Sequence, residues 1–136
     1  MPLPAASTMV ATQTYRESFR PGGAIDEPYL MLGVSVLCAE SDEQAQWLAG
    51  SGSLSFVRLR TGRPGRFPTP EEAAAYEYSP QEQALIDGRV GSQVVGGPET
   101  VRDGLKELIE RTGADELIIT TAVHSHAERV RSYELL

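Results

Sequence analysis

The sequence predicts an α/β fold built on a parallel sheet. Three observations carry that reading. Residues Val94 to Leu136 run as helix, strand, helix with little slack between them. Tyr29 to Leu37, YLMLGVSVL, forms a second near-continuous apolar run, the signature of a strand buried on both faces of a parallel sheet. Each of these two strands is followed by a helix start of the Ser-x-x-Glu/Gln type, Ser41 with Gln44 and Ser125 with Glu128. A strand feeding a capped helix is the repeating unit of an α/β sheet or barrel.

Residues 1–8 are rich in Pro and Ala and are expected to be disordered. Met9, Val10, Tyr15 and Phe19 can share one face of a helix from roughly Ser7 to Phe19. Arg16 and Arg20 suit the negative end of its dipole, and Pro21-Gly22-Gly23 stops it. In the Tyr29–Leu37 strand, Gly33 suggests a close neighbour. Ala45, Leu48, Phe56 and Leu59 outline a helix from Ser41 to about Arg60. Gly50-Ser51-Gly52-Ser53 in its middle weakens it, giving a soft centre or two helices.

Residues 61–70, TGRPGRFPTP, hold two Gly and three Pro and read as a mobile loop. Thr69 with Glu72 and Ser79 with Glu82 are two further capping boxes. They open short helices to about Tyr76 and Asp87. Gly88, Gly91 and Gly96-Gly97 break the next stretch, with Val94-Val95 a brief extended piece. Pro98 suits the first position of the next helix, whose apolar residues Val101, Leu105, Leu108 and Ile109 recur at helical spacing. Gly113 fits the left-handed residue past its end. Leu117-Ile118-Ile119 is the last strand.

A chain of 136 residues suffices for one domain with a core, and residues 1–136 are read as a single domain. It is too short for a whole (β/α)₈ barrel, which needs about 200 to 250 residues. The net charge of -7 argues against nucleic acid or an anionic membrane as a general partner. No stretch approaches a membrane span, and the first residues lack the basic and apolar regions of a secretory signal. The single cysteine, Cys38, excludes an internal disulfide and reads as a small buried residue. A cytoplasmic location is the expectation.

Three groups of residues could carry chemistry. Arg58, Arg60, Arg63 and Arg66 gather a third of the 12 basic residues within nine positions. Guanidinium forks there could meet a phosphate or sulfonate; a solvated helix end and loop is the plainer reading. His124, with Ser125 and His126, comes after the last strand, where a barrel places its active site, and imidazole moves protons near neutral pH. It is the candidate catalytic and substrate-pocket residue, against ordinary surface solvation. Thr120 and Thr121 end that strand, and one of them should point to the barrel mouth. Gly96-Gly97 before a helix has the shape of an anion cradle but lacks a phosphate-binding pattern, so a simple helix start is favoured. No cluster at ligand spacing supports a metal, and no nucleophile elbow is present.

The terminal residues carry more than their local pattern. Gly97-Pro98-Glu99-Thr100-Val101, Gly113-Ala114-Asp115-Glu116-Leu117 and the closing run His126 to Leu136 resemble the carboxyl-terminal end of the bacterial luciferase-like flavin monooxygenases. Upstream, Pro28 to Ala49 resembles the seventh barrel strand with its helix, and Tyr15 to Pro21 the end of the sixth helix. The resemblance implies a partial (β/α)₈ barrel: about the last two βα units, with a helical insertion between the two strands. It implies reduced FMN, or the deazaflavin F420, at the barrel mouth, with O₂ and a small organic molecule as substrates. Two strands cannot close a barrel. The isolated chain is therefore expected to be inactive, to retain no cofactor, and to pair its open edges in a homo-oligomer. The alternative is a non-catalytic α/β interaction module that keeps the fold and works by oligomerising.

Overall fold

The computed structural model describes residues 6–89 and 93–136. Among these residues nine elements succeed one another: α1 (Ala6–Ser18), β1 (Met31–Cys38), α2 (Asp42–Arg60), α3 (Pro70–Ala75), α4 (Pro80–Arg89), β2 (Gln93–Gly96), α5 (Pro98–Thr112), β3 (Glu116–Thr120) and α6 (His126–Glu134). The sheet is parallel and open, in the order β2-β1-β3. The two strong strands are thus neighbours. The brief extended piece at Val94-Val95 is a true third strand on the far side of β1. Of the glycines expected to break the chain there, Gly91 lies outside the described residues. Helix α1 begins at Ala6, inside the stretch expected to be disordered.

Alternation along the strands divides the sheet into two faces. Val34, Val36 and Cys38 of β1 join Val101 and Leu108 of α5 in one core, with Leu117 and Ile119 of β3 packed against it. Leu37 and Ala39 join Ala45 and Leu48 of α2 and Val123 in a second core on the opposite face, with Val95 at its margin. We call the face under α5 the outer face and the other the inner face.

The inner face is covered only near the strand ends. Met31 remains 50% exposed and Ile118 49%. The strands are therefore not buried on both faces as their sequences suggest. An apolar run records what a strand is built to touch, and these described elements cover half of it. Gly33, expected to admit a close neighbour, has open space where a Cβ would stand. It pairs with Ile118 on this uncovered face.

Helix α2 is one continuous helix. Its buried stripe is Ala45, Leu48, Ser51, Leu54 and Val57. Phe56 is half-buried and Leu59 exposed, contrary to the expected face, because the small Ser51 continues the stripe in place of Phe56. The Gly-Ser stretch is a seat for neighbours: a Cβ on Gly50 would lie 3.4 Å from the Cβ of Ala73 in α3. Helix α1 also departs from expectation. Its buried residue is Thr12, while Val10 is 64% exposed. Arg16 serves another helix: its guanidinium donates to the carbonyls of Thr112 and Gly113 at the end of α5. Gly113 has the expected left-handed conformation, φ 63°. Among the described residues no helix is long and apolar enough to cross a membrane.

Candidate functional site

The carboxyl ends of the strands meet the first half of α2. Ser41 caps α2 by accepting the Gln44 N–H at 3.2 Å. Asp42, one residue on, reaches across to α5. Its Oδ1 accepts the Gly97 N–H at 2.7 Å. That bond, followed by one to the Thr100 hydroxyl, holds the Asp42 carboxyl below the usual carboxylate range. The start of α5, shaped like an anion cradle, already has its anion in Asp42. A Cβ on Gly96 would stand 2.7 Å from Thr100 Cβ and 2.8 Å from Asp42 Oδ1, so this junction needs glycine.

Thr120 and Thr121 take opposite roles. Ile119 packs into the outer core, so alternation sends Thr120 to the inner face, where it is exposed. Thr121 is 8% exposed, and its Oγ1 has no hydrogen-bond partner among the described residues. His124 is exposed in the turn before α6. Ser125 caps that helix through the Glu128 N–H at 3.4 Å. His126 Nδ1 lies 2.9 Å from Arg129 Nη2.

The four arginines do not converge. Arg60 stands 5.9 Å from the Phe56 ring centroid. Arg63 reaches Glu82 Oε1 at 3.1 Å. Arg66 is exposed on the loop after α2. Val123 packs with Ala45 and Leu48. At about 1.5 Å per residue, Arg58 begins roughly 15 Å further along α2. The arginines and the Thr120–His124 segment therefore do not form one pocket. Glu82 is the hub on the arginine side. It accepts from the Ser79 N–H at 2.9 Å, the Tyr76 hydroxyl at 2.9 Å and Arg63. The Ser79 amide first, then the Tyr76 hydroxyl, keep its carboxyl below the usual range. Among the described residues no group of three or more His, Cys, Asp or Glu is placed to hold a metal.

Two features went unread in the sequence. Ser132, fully buried on α6, accepts the Cys38 N–H through its Oγ at 2.9 Å. It stands within the closing Arg-Ser-Tyr-Glu-Leu-Leu motif, which was the available signal. The second is a small cleft on the inner face, lined in part by Ser35, Gln93, Gly52 and Arg89. Strand alternation could have found Ser35, whereas Arg89 is brought there by α4 alone.

With this geometry in place, comparison gives the chain its relatives. No protein-family model matches the sequence. It is 38% identical over 131 residues to the uncharacterised protein YvbT of Bacillus subtilis (strain 168), covering 96% of this chain and 39% of that protein. It is 32% identical over 125 residues to a luciferase-like monooxygenase of Escherichia coli (strain K12), covering 92% of this chain and 37% of the relative. Its fold superposes on the crystal structure of apo-MsnO8 with a TM-score of 0.85 and 35% identity, over 95% of this chain and 40% of that one. A more remote fold likeness, TM-score 0.51 at 21% identity over 82% of this chain and 33% of that one, links it to the oxygenating constituent of 3,6-diketocamphane monooxygenase from Pseudomonas putida, a type II Baeyer–Villiger monooxygenase solved with FMN. The resemblance to luciferase-like monooxygenases is found, and the chain spans about two fifths of the relatives' length.

Proposed function

We propose that this chain is the carboxyl-terminal part of a luciferase-like, flavin-dependent monooxygenase that acts with reduced FMN and O₂ on a small organic molecule. The observation that carries the reading is the match of nearly the whole chain to under half of a luciferase-like monooxygenase. The uncovered inner face supports it, since a partial (β/α)₈ barrel leaves that face open. The residues on hand do not assemble a flavin phosphate site. The start of α5 is taken by Asp42, and two of the four arginines face Phe56 and Glu82. No chemical step is therefore derived for this chain alone, which on this reading is inactive and retains no flavin. Thr120 is its contribution to the barrel interior, and His124 its contribution to the mouth.

The test joins this chain to the portion of the E. coli relative that it does not match. The fused protein should keep FMN through gel filtration and consume O₂ when the flavin is reduced. The isolated chain should elute colourless. A second reading, a non-catalytic α/β oligomerisation module, is favoured by the half-exposed Met31 and Ile118. A fused protein without flavin, alongside an isolated chain that forms a defined oligomer, would select it. F420 in place of FMN is distinguished by which of the two the fused protein retains.

A further inference from the structure

We propose that the free edge of β3 is an interaction surface for a second copy of this chain, the two β3 strands pairing antiparallel about a two-fold axis at Ile118. The first observation is what this edge lacks. β3 pairs with β1 along all five of its residues, Glu116 to Thr120, yet none of the five is buried. Leu117, Ile118 and Ile119 among them are apolar, and Ile118 is 49% exposed. Among the described residues nothing pairs with the other side of the strand. Soluble proteins commonly blunt such an edge with Pro, Lys or a bulge. β3 holds no Pro or Lys, and its register with β1 is unbroken. Its one charge, Glu116, stands at its first residue. The opposite edge, β2, is the poorer template. It has four residues and ends at Gly96, which Thr100 and Asp42 crowd.

The second observation is that the strand is complementary to itself. An antiparallel pair centred on Ile118 sets Glu116 opposite Thr120 of the second copy, Leu117 opposite Ile119, and Ile118 opposite Ile118. The two-fold axis makes each unlike contact twice. Leu117 and Ile119 pack with the outer core, so alternation puts Glu116, Ile118 and Thr120 in one row on the inner face. Every apolar residue then meets an apolar one, and each carboxylate meets a hydroxyl able to donate to it. Other arrangements lose this match. Moving the axis to Leu117 sets Glu116 against Ile118, and moving it to Glu116 sets two carboxylates opposite each other. A parallel pair in register brings both carboxylates to the same end. In the antiparallel pair the two sheets continue as one, with their inner faces side by side. The inference concerns the isolated chain and does not require the monooxygenase reading, so the flavin test of the fused protein succeeds or fails independently.

The test is disulfide trapping of the chain with oxidised glutathione as the oxidant. Facing residues of an antiparallel pair have Cα atoms about 4.5–5.5 Å apart, within the roughly 4.4–6.8 Å that a disulfide spans. The native Cys38 is buried and stays out of the reaction. Ile118→Cys should cross-link with itself. A mixture of Glu116→Cys and Thr120→Cys chains should give a mixed cross-linked dimer. Neither of these two alone should cross-link, because its two copies stand about 13 Å apart along the strands. Glu116 and Thr120 are both exposed, so these variants should keep the circular dichroism spectrum of the wild type. Sedimentation equilibrium over a dilution series gives a second readout. Thr120→Lys sets a cation opposite Glu116 and should tighten the dimer several-fold. Adding Glu116→Lys to that variant opposes like charges and should loosen the dimer below the wild type. A monomer throughout the dilution series, or no cross-link in the mixture, would overturn the proposal. So would Glu116→Cys or Thr120→Cys cross-linking with itself as readily as in the mixture, the mark of a parallel edge or of a contact between faces.

Discussion

At the scale of single residues, the fold depends on a few polar groups that bridge distant parts of the chain. Ser132 is one: it supplies the partner of the Cys38 N–H in a fully buried setting. Removing the hydroxyl leaves that donor unsatisfied, which costs about 1–3 kcal/mol. Ser132→Ala should therefore lower stability by that amount in urea unfolding, with an unchanged m-value. A loss below about 0.5 kcal/mol would show that water reaches the amide. Asp42 is another. Its folded-state pKa lies below the unfolded value because the Gly97 amide and the Thr100 hydroxyl bind the charged form. The stability it contributes is present above the unfolded pKa of about 3.9 and is lost as pH falls through the folded value. Asp42→Ala should lower the melting temperature by a constant amount from about pH 7 to about pH 5, and by progressively less below about pH 4. A gap that stays constant down to about pH 2.5 would separate the effect from this carboxylate.

At the scale of elements, what the sequence revealed depended on distance along the chain. The caps at Ser41, Thr69, Ser79 and Ser125 were legible because each joins residues three apart. The same holds for Gly113, whose left-handed φ stems from its place after Thr112. That one of Thr120 and Thr121 should turn inward followed from local alternation, but which of them did not; the structure puts Thr120 on the inner face. The partner of Arg16 was not, since Gly113 lies 97 positions away, and neither was the partner of Asp42, 55 positions away. The arginine group, whose plainer reading was a solvated helix end and loop, is dispersed for a related reason. Proximity in sequence at a helix end spreads side chains around the axis, and Arg60 and Arg63 found Phe56 and Glu82 instead of each other. Arg16 also makes an element-scale prediction. Helix α1 buries little beyond Thr12, so its attachment rests heavily on the Arg16 contacts with the end of α5. Arg16→Ala should strip amide-exchange protection from α1 while leaving β1 and α5 protected. Equal loss in all three would mean that α1 is integral to the core.

At the scale of the whole molecule, the open sheet sets the behaviour of the chain. Among the described residues both edge strands, β2 and β3, have unpaired outer sides, and the inner face leaves Met31 and Ile118 half exposed. Unpaired edges and an uncovered apolar face are what protein chains bury against each other. We expect the isolated chain to self-associate through this surface. Its net charge of -7 slows that association without preventing it, because the repulsion is spread over the molecule and screened within about 8 Å at physiological salt. Ile118→Lys puts a charge at the centre of the open face, next to Gly33, where the folded monomer leaves space. Sedimentation velocity should then show the wild-type chain as an oligomer and the variant shifted toward monomer, with the helical signal in circular dichroism retained. If the two sediment alike as monomers, the open face is tolerated in water and needs no partner. If they sediment alike as oligomers, the contact lies elsewhere, and the exposed surface of α1 around Val10 is the next to test. In the fused protein of the functional test the same substitution should act differently. There it would bury a charge in the barrel interior, so loss of flavin retention together with loss of stability is the expected result.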